Sequence, residues 1–214
     1  MSRKPRSQVI DPTHTCLHHI FTRCTRRLFL LADDQDERKQ YVAGVLGLLV
    51  AHFAIEVGSY SFMDNHVHLV VRMDPRDAER WTPREVVRRW GACHPPHGRP
   101  PTEKWIEDRL KDRQWVEERR KALASISHLM KDFKQRITQR INRIEGACGT
   151  VWEGRFGCRP IESMEDLIGA SAYIDLNPFS AGLVDEPEAA PFTSLFERHA
   201  KLDGRQAPDT VPFI

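Results

Sequence analysis

His66 and His68, in the run FMDNHVHLVV (62–71), stand one residue apart in this 214-residue chain. The run is apolar and rich in β-branched residues, so it reads as a strand, on which successive side chains point to opposite faces. Val67, Leu69 and Val71 then share an apolar face fit for a core, while His66, His68 and Val70 share the other, with Arg72 beyond. Two neutral imidazoles side by side can chelate one divalent ion. They can equally be two half-exposed histidines on an ordinary sheet, because so short a motif recurs by chance. The rest of the chain has to decide.

Other reactive groups are sparse. The five cysteines (Cys16, Cys24, Cys93, Cys148, Cys158) are scattered and form no C-x-x-C pair. That suits reduced, cytoplasmic thiols better than a disulfide framework. Cys93, His94 and His97 could form half of a zinc site, but no second half follows and the prolines among them indicate a loop. The tyrosines are Tyr41, Tyr60 and Tyr173.

Charge is balanced overall, with 32 basic and 30 acidic residues and a net charge of +2, so a nucleic-acid surface has to come from local clustering. The best cluster is Lys131, Lys134, Arg136, Arg140 and Arg143, set against Asp132 as the one acid within residues 131–143. It can be a solvated helix face or a phosphate-binding one. No apolar run reaches membrane-spanning length, and the basic N-terminus has no apolar stretch of the secretory type.

Around the histidine strand the elements fall into an order. Residues 17–23 read as a first strand, with His19 and Phe21 on one face and His18, Ile20 and Thr22 on the other. A helix over 36–52 follows, with Tyr41, Val45, Leu48, Leu49 and His52 at helical spacing. A strand over 53–62, with a bulge at Gly58, then makes a hairpin with the histidine strand. Residues 73–124 are charged, hold Trp81, Trp90, Trp105 and Trp115, and read as an insertion. In it, Thr82-Pro83 opens a short helix to about Trp90 and Thr102 caps a long one. Ser125 or Ser127 caps a helix over 126–144 with an apolar stripe of Ile126, Met130, Phe133, Ile137, Ile141 and Ile144. Residues 150–160 read as extended, and a last amphipathic helix spans 163–175, in which Tyr173 is expected to pack in the core. The domain so defined covers 17–200, between a basic arm (1–16, with Arg3, Lys4 and Arg6) and a loose tail (201–214). This pattern implies an α+β fold, a ferredoxin-like antiparallel sheet with helices mainly on one face and the histidine strand central.

Four stretches, in order, carry a resemblance: LHHIFTRCTRRLF (17–29), FMDNHVHLVV (62–71), KQRITQRINR (134–143) leading into GTVWEGRF (149–156), and AYIDLNPFSAGLV (172–184). Together they resemble the REP-associated tyrosine transposases and the wider group of single-strand HUH transposases. The resemblance implies that His66 and His68 bind Mg²⁺ or Mn²⁺ with a polar residue from a helix. It implies that this ion polarises a scissile phosphate, and that a tyrosine attacks to leave a 5′-phosphotyrosine. The implied partner is single-stranded DNA beside a hairpin, and some such proteins are homodimers.

The resembling pattern carries its tyrosine in K-x-R-Y-T, and that slot here is Ile137, which cannot attack phosphorus. Asn142 matches the helix asparagine as third metal ligand, with Gln139 and Glu145 as alternatives. The candidate nucleophiles are then Tyr173 and metal-activated water, Thr138 being a poor one without a base. Lys131, Lys134, Arg136, Arg140, Arg143 and Arg155 are the candidate DNA contacts, and Trp152 or Phe156 could stack on a base or pack in the core. Three functions follow: a transposase-like DNA-cleaving enzyme, a nucleic-acid-binding relative without chemistry, and a water-using metal-dependent nuclease.

Overall fold

The computed structural model describes residues 10–11 and 13–204. The N-terminal arm with Arg3, Lys4 and Arg6, and the tail beyond 204, lie outside the described residues.

Four antiparallel strands make one open sheet: β1 (Cys16–Arg23), β2 (Ile55–Phe62), β3 (His66–Met73) and β4 (Gly157–Ile161), in the order β2-β3-β1-β4. The histidine strand β3 is therefore internal, paired on both sides. Between β1 and β2 runs α1 (Glu37–Val50). Between β3 and β4 run α2 (Pro75–Glu79), α3 (Pro83–Cys93), α4 (Glu103–Leu110), α5 (Arg113–Leu123) and α6 (Ile126–Glu145). With α1 and α6 as its two helices, the chain traces the β-α-β-β-α-β order of a ferredoxin-like sheet. The helices α2 to α5 form the insertion.

Alternation builds the core. Ile20 of β1, Val57 of β2 and Val67, Leu69 and Val71 of β3 are buried in one cluster with Leu46 and Leu49 of α1 and Phe133, Ile137 and Ile141 of α6. The α6 stripe is as its spacing predicts, with Leu129 added and Ile144 left half-exposed near the helix end. On α1 the stripe is rotated: Val42, Val45, Leu46 and Leu49 are buried, while Tyr41 and Leu48 face outward. Arg140 of α6 lies over the Tyr41 ring, 5.6 Å from its centroid. Gly58 is the expected bulge, since the β2–β3 register shifts between Val57 and Ser59.

The insertion departs from its expected form in two places. The long charged helix is broken into α4 and α5, because the Asp112 carboxylate accepts from Trp115 N–H and starts a new helix. The extra helix α2 is capped by Asp74, with Pro75 in its first turn. Trp90, Trp105 and Trp115 meet edge-on, with Arg109 and Arg119 over their rings. They are packing anchors, set against the buried core. His94 pairs with Asp132 at 2.8 Å and stacks on Trp90, and Arg136 donates to the Cys93 carbonyl, so this corner is filled by structural contacts.

Three helices follow β4: α7 (Met164–Asp175), α8 (Asn177–Ser180) and α9 (Ser194–Leu202). The helix α7 crosses β2, β3 and β4. It lies on the histidine face, as the contacts below show, while α1 and α6 pack on the core face of the sheet. The predicted α7 stripe is largely exposed: Met164, Ile168 and Tyr173 are 65%, 63% and 54% accessible. Tyr173 is thus no core tyrosine, because the side of α7 turned inward carries Ile174 and Asp175 instead. The Asp175 carboxylate accepts from Ser194 Oγ and Arg198 of α9, while Tyr60 of β2 donates to Glu197. The chain from 201 to 202 belongs to α9 rather than to the tail.

Candidate active site

The site begins with strand register. Phe21 lies opposite His68 and Arg23 opposite His66 across the β1–β3 ladder, while Arg159 lies opposite His19 and Gly157 opposite Phe21 across β1–β4. Paired residues share a face. His66, His68, His19, Phe21, Arg23 and Arg159 therefore all look to the side away from the core.

The imidazoles of His66 and His68 lie 5.0 Å apart between ring centroids and nearly perpendicular, at 89°. His66 Nδ1 sits 2.6 Å from Asn65 Oδ1, and His68 Nδ1 sits 2.9 Å from His19 Nε2. The Asn177 side chain also hydrogen-bonds the His66 ring, and the Tyr173 ring stands edge-on to His68 at 5.4 Å and to His19 at 6.0 Å. Tyr173 and Asn177 are four residues apart, the spacing that brings two side chains to one side of a helix. The end of α7 and the first residue of α8 thus deliver a phenol and an amide to the histidine pair. Among the described residues no three His, Cys, Asp and Glu side chains are arranged to hold a metal ion, so the donor set here is two imidazoles and an amide.

Electrostatics keep the imidazoles neutral. Burial pushes His68 down to about 3, helped by His66, His19, Arg23 and Arg159, and pushes His19 down to about 4, helped by Arg159. Burial likewise lowers His66, with Arg23 adding to the effect and the Asn177 hydrogen bond opposing it. A neutral imidazole keeps the lone pair a metal needs. The donor set therefore fits a divalent ion: two neutral imidazoles with lone pairs to offer, and the Asn177 amide beside His66.

Two hollows open beside the pair. One, of about 310 Å³, is lined by Phe21, Arg23, His66, His68, Glu153 and Arg155, among others. The other, of about 520 Å³, runs between β4 and α7 past His19, Arg159, Glu165, Asp166 and Tyr173. Arg23, Arg155 and Arg159 line these hollows together with Glu153, Glu165 and Asp166, so the cleft carries both signs of charge.

Ile137 is 1% exposed inside the core, and Asn142 donates to the Gly149 carbonyl at 3.0 Å. Tyr173 and Asn177 are the residues of those types whose contacts with the pair are described above. Of the α6 cations, Lys134 donates to the Gly154 carbonyl and lies over Trp152, Arg136 reaches Cys93, and Arg140 covers Tyr41. Lys131 and Arg143 are exposed. Arg155 alone of the predicted DNA contacts lines the hollow beside the histidines. Trp152 and Phe156 are buried, and Trp152 donates to the Lys134 carbonyl, so both pack rather than await a base. Sequence reasoning missed His19, Arg23, Arg159 and Asn177. Strand alternation from Phe21 could have found the first two, and the four-residue step from Tyr173 could have found Asn177.

Among the described residues no helix is long and apolar enough to cross a membrane. No family model matches the chain, and no curated protein matches it in sequence. Solved structures do. A REP-associated tyrosine transposase, determined bound to a REP hairpin, is 16% identical, with a TM-score of 0.54 over 100% of this chain and 95% of that one. A presumed transposase from Deinococcus radiodurans R1 is 14% identical over 81% of this chain and 96% of that one, with a TM-score of 0.39. At such identities the likeness is one of fold, and the chain has the fold of the REP-associated tyrosine transposase.

Proposed function

We propose that the protein is a transposase-like enzyme that cleaves single-stranded DNA beside a hairpin, with Tyr173 as nucleophile and His66, His68 and Asn177 as the holders of Mg²⁺ or Mn²⁺. The observation that carries this reading is the convergence of Tyr173 and Asn177, from α7 and the start of α8, on the imidazole pair of β3. A tyrosine so exposed, edge-on to a buried neutral histidine, has little packing reason to be there.

The roles follow from position. Arg23, Arg155 and Arg159 attract the backbone and orient the scissile phosphate over the pair. Tyr173 Oη attacks phosphorus; its phenolic proton leaves to solvent, the bond from phosphorus to the 3′ oxygen breaks, and the DNA 5′ phosphate stays on the tyrosine. A divalent ion held by the pair would supply Lewis-acid polarisation of the phosphate oxygen. Re-attack by a 3′ hydroxyl would rejoin the strand and free Tyr173, which is the chemistry of strand transfer.

A labelled single strand with a hairpin, incubated with Mn²⁺ and run on a denaturing gel, tests this. The expected result is a protein–DNA adduct with the wild type and none with Tyr173→Phe or His66→Ala. Cleavage without an adduct would assign the attack to water. Binding with neither would make the protein a DNA-binding relative without chemistry.

A further inference from the structure

His66 and His68 each use Nδ1 on a neighbour, and the two neighbours differ. For His66 the neighbour settles the proton. Asn65 Nδ2 donates to the Arg27 carbonyl at 3.0 Å, which turns Asn65 Oδ1 toward His66 Nδ1. An amide oxygen only accepts, so His66 carries its proton on Nδ1 and presents the Nε2 lone pair.

For His68 the neighbour is another imidazole, His19, on the adjacent strand, with Nε2 2.9 Å from His68 Nδ1. One proton lies between these nitrogens, and its direction decides what His68 can do. If His19 donates, His68 Nδ1 is occupied and Nε2 carries the proton, so neither nitrogen can bind a cation. If His68 donates, its Nε2 lone pair is free to pair with that of His66. Both rings are held for this: His19 is 8% exposed and His68 6%, and Phe21 packs against each, at 5.5 Å and 6.0 Å between centroids.

We infer that His19 is a positioning residue that accepts the Nδ1 proton of His68 and so fixes the tautomer in which His68 offers Nε2 to a divalent ion. This rests on the reading of His66 and His68 as a metal pair. The oriented hydrogen bond to the far nitrogen is the usual way a ligating histidine is held, and loss of such a partner weakens metal binding by about 10–100-fold.

Two measurements on the full chain test it. In metal-free ¹⁵N-labelled protein at neutral pH, long-range ¹H–¹⁵N correlation spectra report which ring nitrogen of His68 is protonated. The expected result is Nδ1–H in the wild type and a shift toward Nε2–H in His19→Phe. Mn²⁺ titration calorimetry should then give a binding loss of about 10–100-fold for His19→Phe. His19→Gln, whose amide oxygen can accept the same proton, should recover most of it. Thermal unfolding of each variant separates a lost partner from a lost fold. An Nε2–H His68 in the wild type overturns the proposal, as does a folded His19→Phe that binds Mn²⁺ like the wild type. Wild-type protein whose Mn²⁺ binding ignores His66→Ala would overturn the metal reading instead, and the tautomer spectra would still decide the role of His19.

Discussion

At the scale of the residue, the site depends on imidazoles that refuse protons. The unfolded chain takes up protons on His19 and His68 near pH 6.5, whereas in the fold they titrate only at about 4 and about 3. Below 6.5 the unfolded state binds more protons than the native one, so stability is full above that pH and falls as pH drops toward the folded values. Urea unfolding with chelator present should show the wild type losing about 1–2 kcal/mol per buried imidazole between pH 7 and 5. The same slope in a His19→Gln/His68→Gln variant would contradict this assignment. Asn177→Ala should weaken Mn²⁺ binding by about tenfold or more, whereas Asn142→Ala, whose side chain serves the Gly149 carbonyl, should leave it unchanged. The histidine pair was legible in the sequence because strand alternation is local. Asn177 was not, because nothing local says that α7 folds back across the histidine face.

At the scale of the element, the sheet carries the site and the C-terminal helices close over it. Gly157 shows how tightly. A Cβ added there would stand 2.2 Å from the Phe21 ring, which packs against both His19 and His68. Gly157→Ala should therefore displace Phe21 and destabilise the fold by about 1–3 kcal/mol. A thermal midpoint equal to wild type would mean that the ring has room. On the far side of α7, burial raises the pKa of Glu197, and Tyr60 is its hydrogen-bond donor. Tyr60→Phe strands that buried acid and should cost about 1–3 kcal/mol, with early hydrogen-exchange opening in α9. Equal exchange in both proteins would argue against the tie. The α6 stripe, the caps at Thr82, Thr102 and Ser125, and the Gly58 bulge could be read in advance, since each depends on neighbours in the chain. The break at Asp112 could not, because a charged helix that runs on and one that restarts at an aspartate look alike in sequence.

At the scale of the whole molecule, a nearly neutral chain sets three strand and loop arginines along the cleft, with Glu153, Glu165 and Asp166 beside them. The α6 cations caught the eye as a run, yet Lys134, Arg136 and Arg140 are engaged with the protein's own carbonyls and rings. Fluorescence anisotropy with hairpin-bearing single-stranded DNA should show affinity falling with salt, and the slope should shrink by about one on Arg155→Ala. An unchanged slope would remove Arg155 from the DNA path. The central claim is that Tyr173 makes the bond to DNA. The most direct measurement is mass spectrometry of the protease-digested adduct formed with a hairpin substrate and Mn²⁺. The nucleotide is expected on the peptide bearing Tyr173 and absent in Tyr173→Phe; a nucleotide on Tyr41 or Tyr60, or cleaved DNA with no modified peptide, would rule Tyr173 out as the nucleophile.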